Sequence, residues 1–264
     1  MHPAHALPQN RVSFGAGVSN QFVLGDASHA IDRARVAASP TGQGIDPVER
    51  DRDFITGAVA QTLGAPGLAP WVGARAGLGL TTEAGVSYTG RSARLDGRHA
   101  FEFGDKALSI GAGVSGVLAH PGHDEPSEAP RIGNTLDATG EIPGLDAGDV
   151  SGFGFDVPVI VGMRSDAELF QVWFGARGGY ERLSGELLMA LDPAAVVERA
   201  ELRASRWYAG GLLGVAIGVR PVFIAVELDA SYQRFEGELD RTATSRAKLD
   251  GLTLAPTGAV VAKF

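Results

Sequence analysis

Along most of this sequence the side chains alternate in polarity with a period of two, the pattern of a strand whose two faces meet different surroundings. Between Val222 and Tyr232, the residues Val222, Ile224, Val226, Leu228 and Ala230 share one face, while Ala225, Glu227, Asp229 and Ser231 share the other. A helix would scatter those carboxylates around its surface. Phe170, Val172, Phe174, Ala176 and Tyr180 alternate in the same way with Gln171, Trp173, Gly175, Arg177, Gly179 and Glu181. Leu108, Ile110, Ala112, Val114 and Leu118 alternate with Ser109, Gly111, Gly113 and Ser115. Such a chain is all-β, and each strand needs a home for one apolar and one polar face.

Similar runs cover Val12 to Ser19, Trp71 to Leu78, Glu83 to Thr89, Ser92 to Phe103, Phe153 to Met163, Arg206 to Val219 and Leu252 to Phe264. The expected count is about ten strands, with roughly eight to twelve compatible with the same pattern. The connections alternate in length. Gly79 to Thr82, Gly104 to Lys106, Arg164 to Ala167 and Arg220-Pro221 are tight, whereas residues 25–70, 120–150, 188–204 and 237–247 are long. An up-and-down meander within a single domain, residues 1–264, would put tight turns on one rim and long outward loops on the other, with residues 1–10 as an amino-terminal tail. The short turn near Gly90 breaks that rule. Within the loops, Asp46-Pro47-Val48-Glu49 supplies a cap, a proline at the first helical position and a following carboxylate, so a short helix is expected there. Asp192-Pro193 is a second such start and Ser28 a third, while an extra strand over Phe54 to Leu63 is the rival reading.

Alternation alone does not say which face is inside. No run reaches the roughly 18 apolar residues of a membrane-spanning helix, but strands of about 9–11 residues can also span. Of the 23 basic residues only Lys106, Lys248 and Lys263 are lysine, so the polar faces are built from Gly, Ser, Arg, Glu and Asp, unlike a solvated sheet exterior. Tyr88, Phe155, Phe170, Tyr180, Trp207, Tyr232 and Phe264 fall toward the ends of the apolar faces, where interfacial girdles belong. The last strand ends on Phe264, with Leu252, Leu254, Val260, Ala262 and Phe264 on one parity and Thr253, Thr257 and Lys263 on the other. Cysteine is absent, which removes disulfides, thiolate metal sites and cysteine nucleophiles. The first ten residues lack a basic segment followed by an apolar one, the expectation for a cytosolic chain or for a mature chain whose leader was removed.

In its terminal LTLAPTGAVVAKF, its turn and loop asymmetry and its strand faces, the chain resembles the outer-membrane β-barrel proteins of Gram-negative bacteria. The resemblance spans most of the chain but is architectural, with no subfamily motif. It implies a transmembrane antiparallel barrel in the outer membrane, lipid and lipopolysaccharide around it, and no cofactor. Backbone physics agrees, because in hydrocarbon every N–H and C=O must be paired and strands can span only as a closed barrel.

With apolar faces outward, a lumen network of Arg75, Arg94, Asp96, Arg98, Arg164, Arg177, Glu181, Arg206, Glu227 and Asp229 is expected, reading either as ion pairs filling a small lumen or as a polar constriction. Lumen glycines such as Gly111, Gly113, Gly175, Gly179, Gly210, Gly214 and Gly218 would either leave water-filled space or admit the arginines. The functions in view are a narrow passive pore for small polar solutes, a membrane scaffold, or a docking and adhesion barrel that binds an envelope partner through acidic loops. A soluble β-barrel binding protein shares the alternation. His120, His123 and Asp124 form a weak metal candidate, since loop spacing defines no ligand geometry. Gly111 to Gly116 matches GxGxxG in letters, but the strand runs through it instead of turning into a helix. His99 faces outward with no evident partner in sequence, and no catalytic motif appears, so the expectation is a non-enzyme. A net charge of -8 without a basic cluster argues against nucleic acid as a partner.

Overall fold

The computed structural model describes residues 3–39, 42, 44–119, 142, 145–165, 169–189, 198–240 and 244–264. Its ten strands are β1 (Val12–Leu24), β2 (Gly67–Gly79), β3 (Thr82–Tyr88), β4 (Ser92–Phe103), β5 (Lys106–Ala119), β6 (Leu145–Arg164), β7 (Phe170–Met189), β8 (Glu198–Val219), β9 (Val222–Asp240) and β10 (Thr244–Lys263). Each pairs antiparallel with its sequence neighbour, and β1 pairs with β10 through Ser13↔Lys263 to Leu24↔Leu252, so the sheet closes into a ring. Leu80 and Thr81, both at positive φ, make the tight β2–β3 turn, the geometry that matches strand twist. The expected segments lie within strands except for their last residues Thr89 and Phe264, and the β2–β3, β4–β5, β6–β7 and β8–β9 connections fall on one rim.

The strands continue beyond those segments. In β9 the outward positions run from Val222, Ile224, Val226, Leu228 and Ala230 through Tyr232 to the charged Arg234, Glu236 and Asp240. The inward positions change the other way, from Glu227, Asp229, Ser231 and Gln233 to the buried Phe235, Gly237 and Leu239. β7 and β8 repeat the exchange, with Arg182, Arg203 and Glu201 outside and Leu183, Leu187, Leu202 and Ala204 inside. Residues 188–189, 198–204, 237–240 and 244–247, within segments expected as loops, are therefore strand: the period survives while the polarity of its faces swaps, and a pattern keyed to outward apolar residues stops at the swap. The result is a half-shell of β6–β10 rising above the shorter β1–β5.

Helices α1 (Asp26–Ala38) and α2 (Pro47–Gly64) fill that half-shell. α2 starts as expected, with the Asp46 carboxylate accepting from Val48 N at 3.0 Å and Glu49 N at 3.3 Å and proline in the first turn. α1 begins at Asp26, slightly before the Ser28 start. Phe54 to Leu63 is helix and not strand, and from Gly57 to Leu63 every residue is buried because the segment packs on α1 on one side and the half-shell on the other. Residues 25–70 thus do not stand outward as a loop. They turn in, and Phe54, Val59 and Leu63 join Leu183, Leu187, Leu202, Phe235 and Leu239 in one apolar core. Val59 lies against Gly237, where a Cβ would collide with it.

The amino-terminal tail also turns in. Ala4, His5 and Ala6 are buried, and Ala4 packs in a second core with Trp173, Ile160, Phe223 and Leu212 near the turn-bearing rim. Residues 120–141, with His120, His123 and Asp124, lie outside the described residues, as does Asp192-Pro193.

Candidate functional site

The inward faces below the swap bring most of the expected charged set together. Arg75 on β2 pairs with Glu83 on β3 and Asp96 on β4, and Arg98 Nε lies 2.7 Å from Glu83. Arg94 donates to Asp96 at 2.6 Å and forks onto both oxygens of Asp156 at 2.8 and 3.0 Å. Arg177 on β7 donates to the same Asp156 at 3.2 Å, and its other end lies 3.9 Å from Asp229 on β9. A chain of alternating charge therefore runs around the wall from β2 to β9. Such pairs are stable only while complete, because removing one partner leaves a buried charge uncompensated. Glu181 and Arg206 form a separate pair higher up, and Glu227 accepts from Trp173 Nε1 at 2.8 Å. Arg164 stands apart at the turn-bearing rim, 3.7 Å from Glu102. Arg91, in the β3–β4 connection, faces Glu181 and Arg206; burial pushes its guanidinium down to about 10, Glu181 opposing and Arg206 adding to the shift.

Gly113, Gly179 and Gly214 admit side chains, whereas Gly175, Gly210 and Gly218 face the backbone of the neighbouring strand. A Cβ at Gly113 would stand 2.5 Å from the Arg94 guanidinium, one at Gly179 2.5 Å from the Tyr208 ring, and one at Gly214 would enter the Trp173 indole.

Both ends of the lumen are stoppered. At the turn-bearing rim Arg98 donates to the carbonyls of Pro3 and, at 3.1 Å, His5, while Leu7 N donates to Glu83 at 2.8 Å. At the other end the carbonyl-rich terminus of α2 points into the barrel, where Arg206 donates to Leu63 O at 2.8 Å and Gln21 donates to Gly64 O. A cation at that pole offsets the helix dipole and satisfies orphan carbonyls.

Between the stoppers lies a chamber of about 320 Å³. One wall is a hydroxyl and amide ladder: Ser231 and Thr253 at 2.8 Å, Gln233 to Thr253 at 2.6 Å, and Thr257 to Ser19 at 2.9 Å. Trp71, Trp173 and Phe223 supply aromatic surface. Sequence reading did not single out Trp71, Tyr208 or this ladder as site residues; their inward parity was legible, but the two stoppers that make a chamber of the lumen were not. His99, on the outer face, has Thr82 Oγ1 3.0 Å from its Nδ1 and Phe101 edge-on at 4.8 Å. Among the described residues no cluster of His, Cys, Asp and Glu has the makings of a metal site.

No family model and no curated protein matches the chain. Solved structures do. The chain is distantly similar in structure to several outer-membrane β-barrel proteins. Neisserial surface protein A (NspA) is 12% identical over 96% of each chain at a TM-score of 0.30. A major outer membrane protein from Thermus thermophilus is 9% identical over 96% of this chain and 99% of that one, at 0.35. The RagAB peptide importer in its open-open state is 9% identical over 94% of this chain but 39% of its own, at 0.29. At these values no subfamily is resolved.

Proposed function

We propose that this chain is a non-enzymatic outer-membrane β-barrel that serves as a closed membrane scaffold rather than an open pore. The observation that carries this is the double stopper: the lumen is crossed by Arg98 and Glu83 bound to the amino-terminal segment at one end and by α2 bound to Arg206 and Gln21 at the other.

The membrane part of the reading rests on the outer wall. Val222 to Tyr232 presents an apolar stretch of the length a tilted spanning strand needs, about 9–11 residues. Across β6–β8 its upper edge carries Phe155, Tyr180 and Trp207, neighbouring rings tilted against one another with centroids 6.0 and 4.5 Å apart. Lipid and lipopolysaccharide would be the medium around that band. Above it, Arg182, Arg203, Arg234 and Arg246 with Glu201, Glu236 and Glu238 form an exposed charged crown, the surface a second envelope protein would meet.

The test is conductance in planar bilayers. The intact chain is expected to give no steps, and a chain lacking residues 26–64 to conduct. Steps from the intact protein that change in Arg177→Gln or Glu227→Gln would instead mark a passive pore. Free solubility in plain buffer without detergent would overturn the membrane assignment.

A further inference from the structure

The chamber between the stoppers has one aromatic side chain without a polar, ring or cation partner among the described residues. Trp173 gives its indole N–H to Glu227, Tyr208 lies beneath Arg177 and Arg206 at 5.5 and 5.7 Å, and Phe223 carries Lys263 at 4.8 Å. Trp71 differs. Its six-membered ring lies against the backbone of Gly15 and Gly73, where added Cβ atoms would come within 2.7 and 3.0 Å, and it lines the empty space. Among the described residues its N–H meets no acceptor and its ring makes no aromatic or cation–π pair, although part of it packs on the Trp173 and Phe223 core. Glycine on two adjacent strands thus makes a flat seat that holds the indole against the wall with ring surface turned to the chamber.

The chemistry of the rest of the wall narrows what fits. Most of the charged groups already stand beside partners of opposite sign, Arg94 and Arg177 on Asp156, Arg177 near Asp229 and Arg206 on Glu181, while Glu227 accepts from Trp173 and Lys263 donates to Gln171. A charged ligand would bring an uncompensated charge into a confined, weakly solvated space. The hydroxyl and amide ladder of Ser231, Thr253, Gln233 and Thr257 can both donate and accept, so it can exchange bonds with neutral hydroxyls without leaving a charge exposed. An aromatic plate opposite groups of that kind suits a ring with a C–H face and a hydroxyl rim. The volume, about 320 Å³, is at the small end of ligand pockets.

We propose that the chamber is a binding site for a small uncharged saccharide, one or two rings in size, seated on the Trp71 indole with its hydroxyls on the β9–β10 ladder. This goes beyond the scaffold reading and is tested by a different readout from bilayer conductance.

The full chain is refolded in zwitterionic micelles free of sugar detergents, in the presence of glucose, maltose or trehalose so that stoppered ends do not limit entry. Binding is then read by titration calorimetry and saturation-transfer NMR, with folding checked by heat-modifiable gel mobility. At least one neutral saccharide is expected to bind with a dissociation constant of about a millimolar or tighter. Trp71→Ala is expected to weaken it about tenfold or more, the outer-wall Trp207→Phe to leave it unchanged, and glucuronate to bind about tenfold worse than glucose. Should Trp71→Ala not refold, Thr253→Val, which keeps shape and removes the hydroxyl, is expected to weaken binding in the same direction. No saturable binding of any of these sugars, equal binding of the charged analogue, or a Trp71 or Thr253 variant indistinguishable from the parent would each overturn the proposal.

Discussion

Arg206 Nη1 donates to the carbonyl of Leu63 at 2.8 Å, so a strand arginine holds the last turn of a helix 143 residues away in the chain. The same guanidinium pairs with Glu181, and its removal would release the helix end and strand a buried carboxylate together. Arg206→Ala is expected to destabilise the protein by up to about 3 kcal/mol. Hydrogen exchange at Ala58 to Leu63 should rise with it, and unchanged protection there would mean that apolar packing alone keeps α2 in place.

The lower stopper depends on Arg98. Its guanidinium holds the Pro3 and His5 carbonyls and one oxygen of Glu83. Arg98→Ala is expected to raise amide exchange at residues 4–7 by about tenfold or more, in proportion to the local opening free energy. Arg203→Ala, on the exposed crown, should leave those amides as they are.

The polarity swap along β9 gives opposite expectations for one substitution type at two heights. Ile224→Arg places a charge on the apolar outer band and is expected to cost about 2–4 kcal/mol in urea titrations of vesicle-inserted protein. Glu236→Arg, two turns of the pleat beyond Tyr232 on the same face, should stay within about 0.5 kcal/mol. Equal costs at both would place the band elsewhere.

Closure of the ring passes through a tight seam. A Cβ at Gly17 would strike the Gly258 carbonyl and Ala259 on β10, and the obstruction is sheet backbone that cannot swing aside. Gly17→Ala is expected to lower stability by about 1–3 kcal/mol, as overpacking does, measured by the midpoint of heat-modifiable mobility. Gly258→Ala, with open space around its added Cβ, is the control.

The α2 cap should behave as an ordinary one. Asp46→Ala removes the acceptor for Val48 N and Glu49 N and is expected to cost about 1 kcal/mol, seen as a lower thermal midpoint.

Much of the architecture follows from local pattern. The period of two in residues such as Ile224, Glu227 and Leu228 assigns each side chain to a face without reference to any other strand, and Asp46-Pro47 starts its helix by chemistry confined to one turn. The parity that put Arg94, Arg177 and Asp229 on one side was legible for the same reason. Their partners were not, since Asp156 joins Arg94 and Arg177 only through the register of strands far apart in sequence.

By itself, then, the chain's alternation determined an antiparallel sheet of about ten strands with an apolar and a charged face, because that depends on backbone geometry repeated every second residue. Only the tertiary structure decided that those faces exchange character at Tyr180, Trp207 and Tyr232, that α1 and α2 turn inward, and that the lumen is stoppered into a chamber. These depend on what lies across the barrel from each side chain: Phe235 and Leu239 are apolar on an otherwise polar face because α2 is there to cover them.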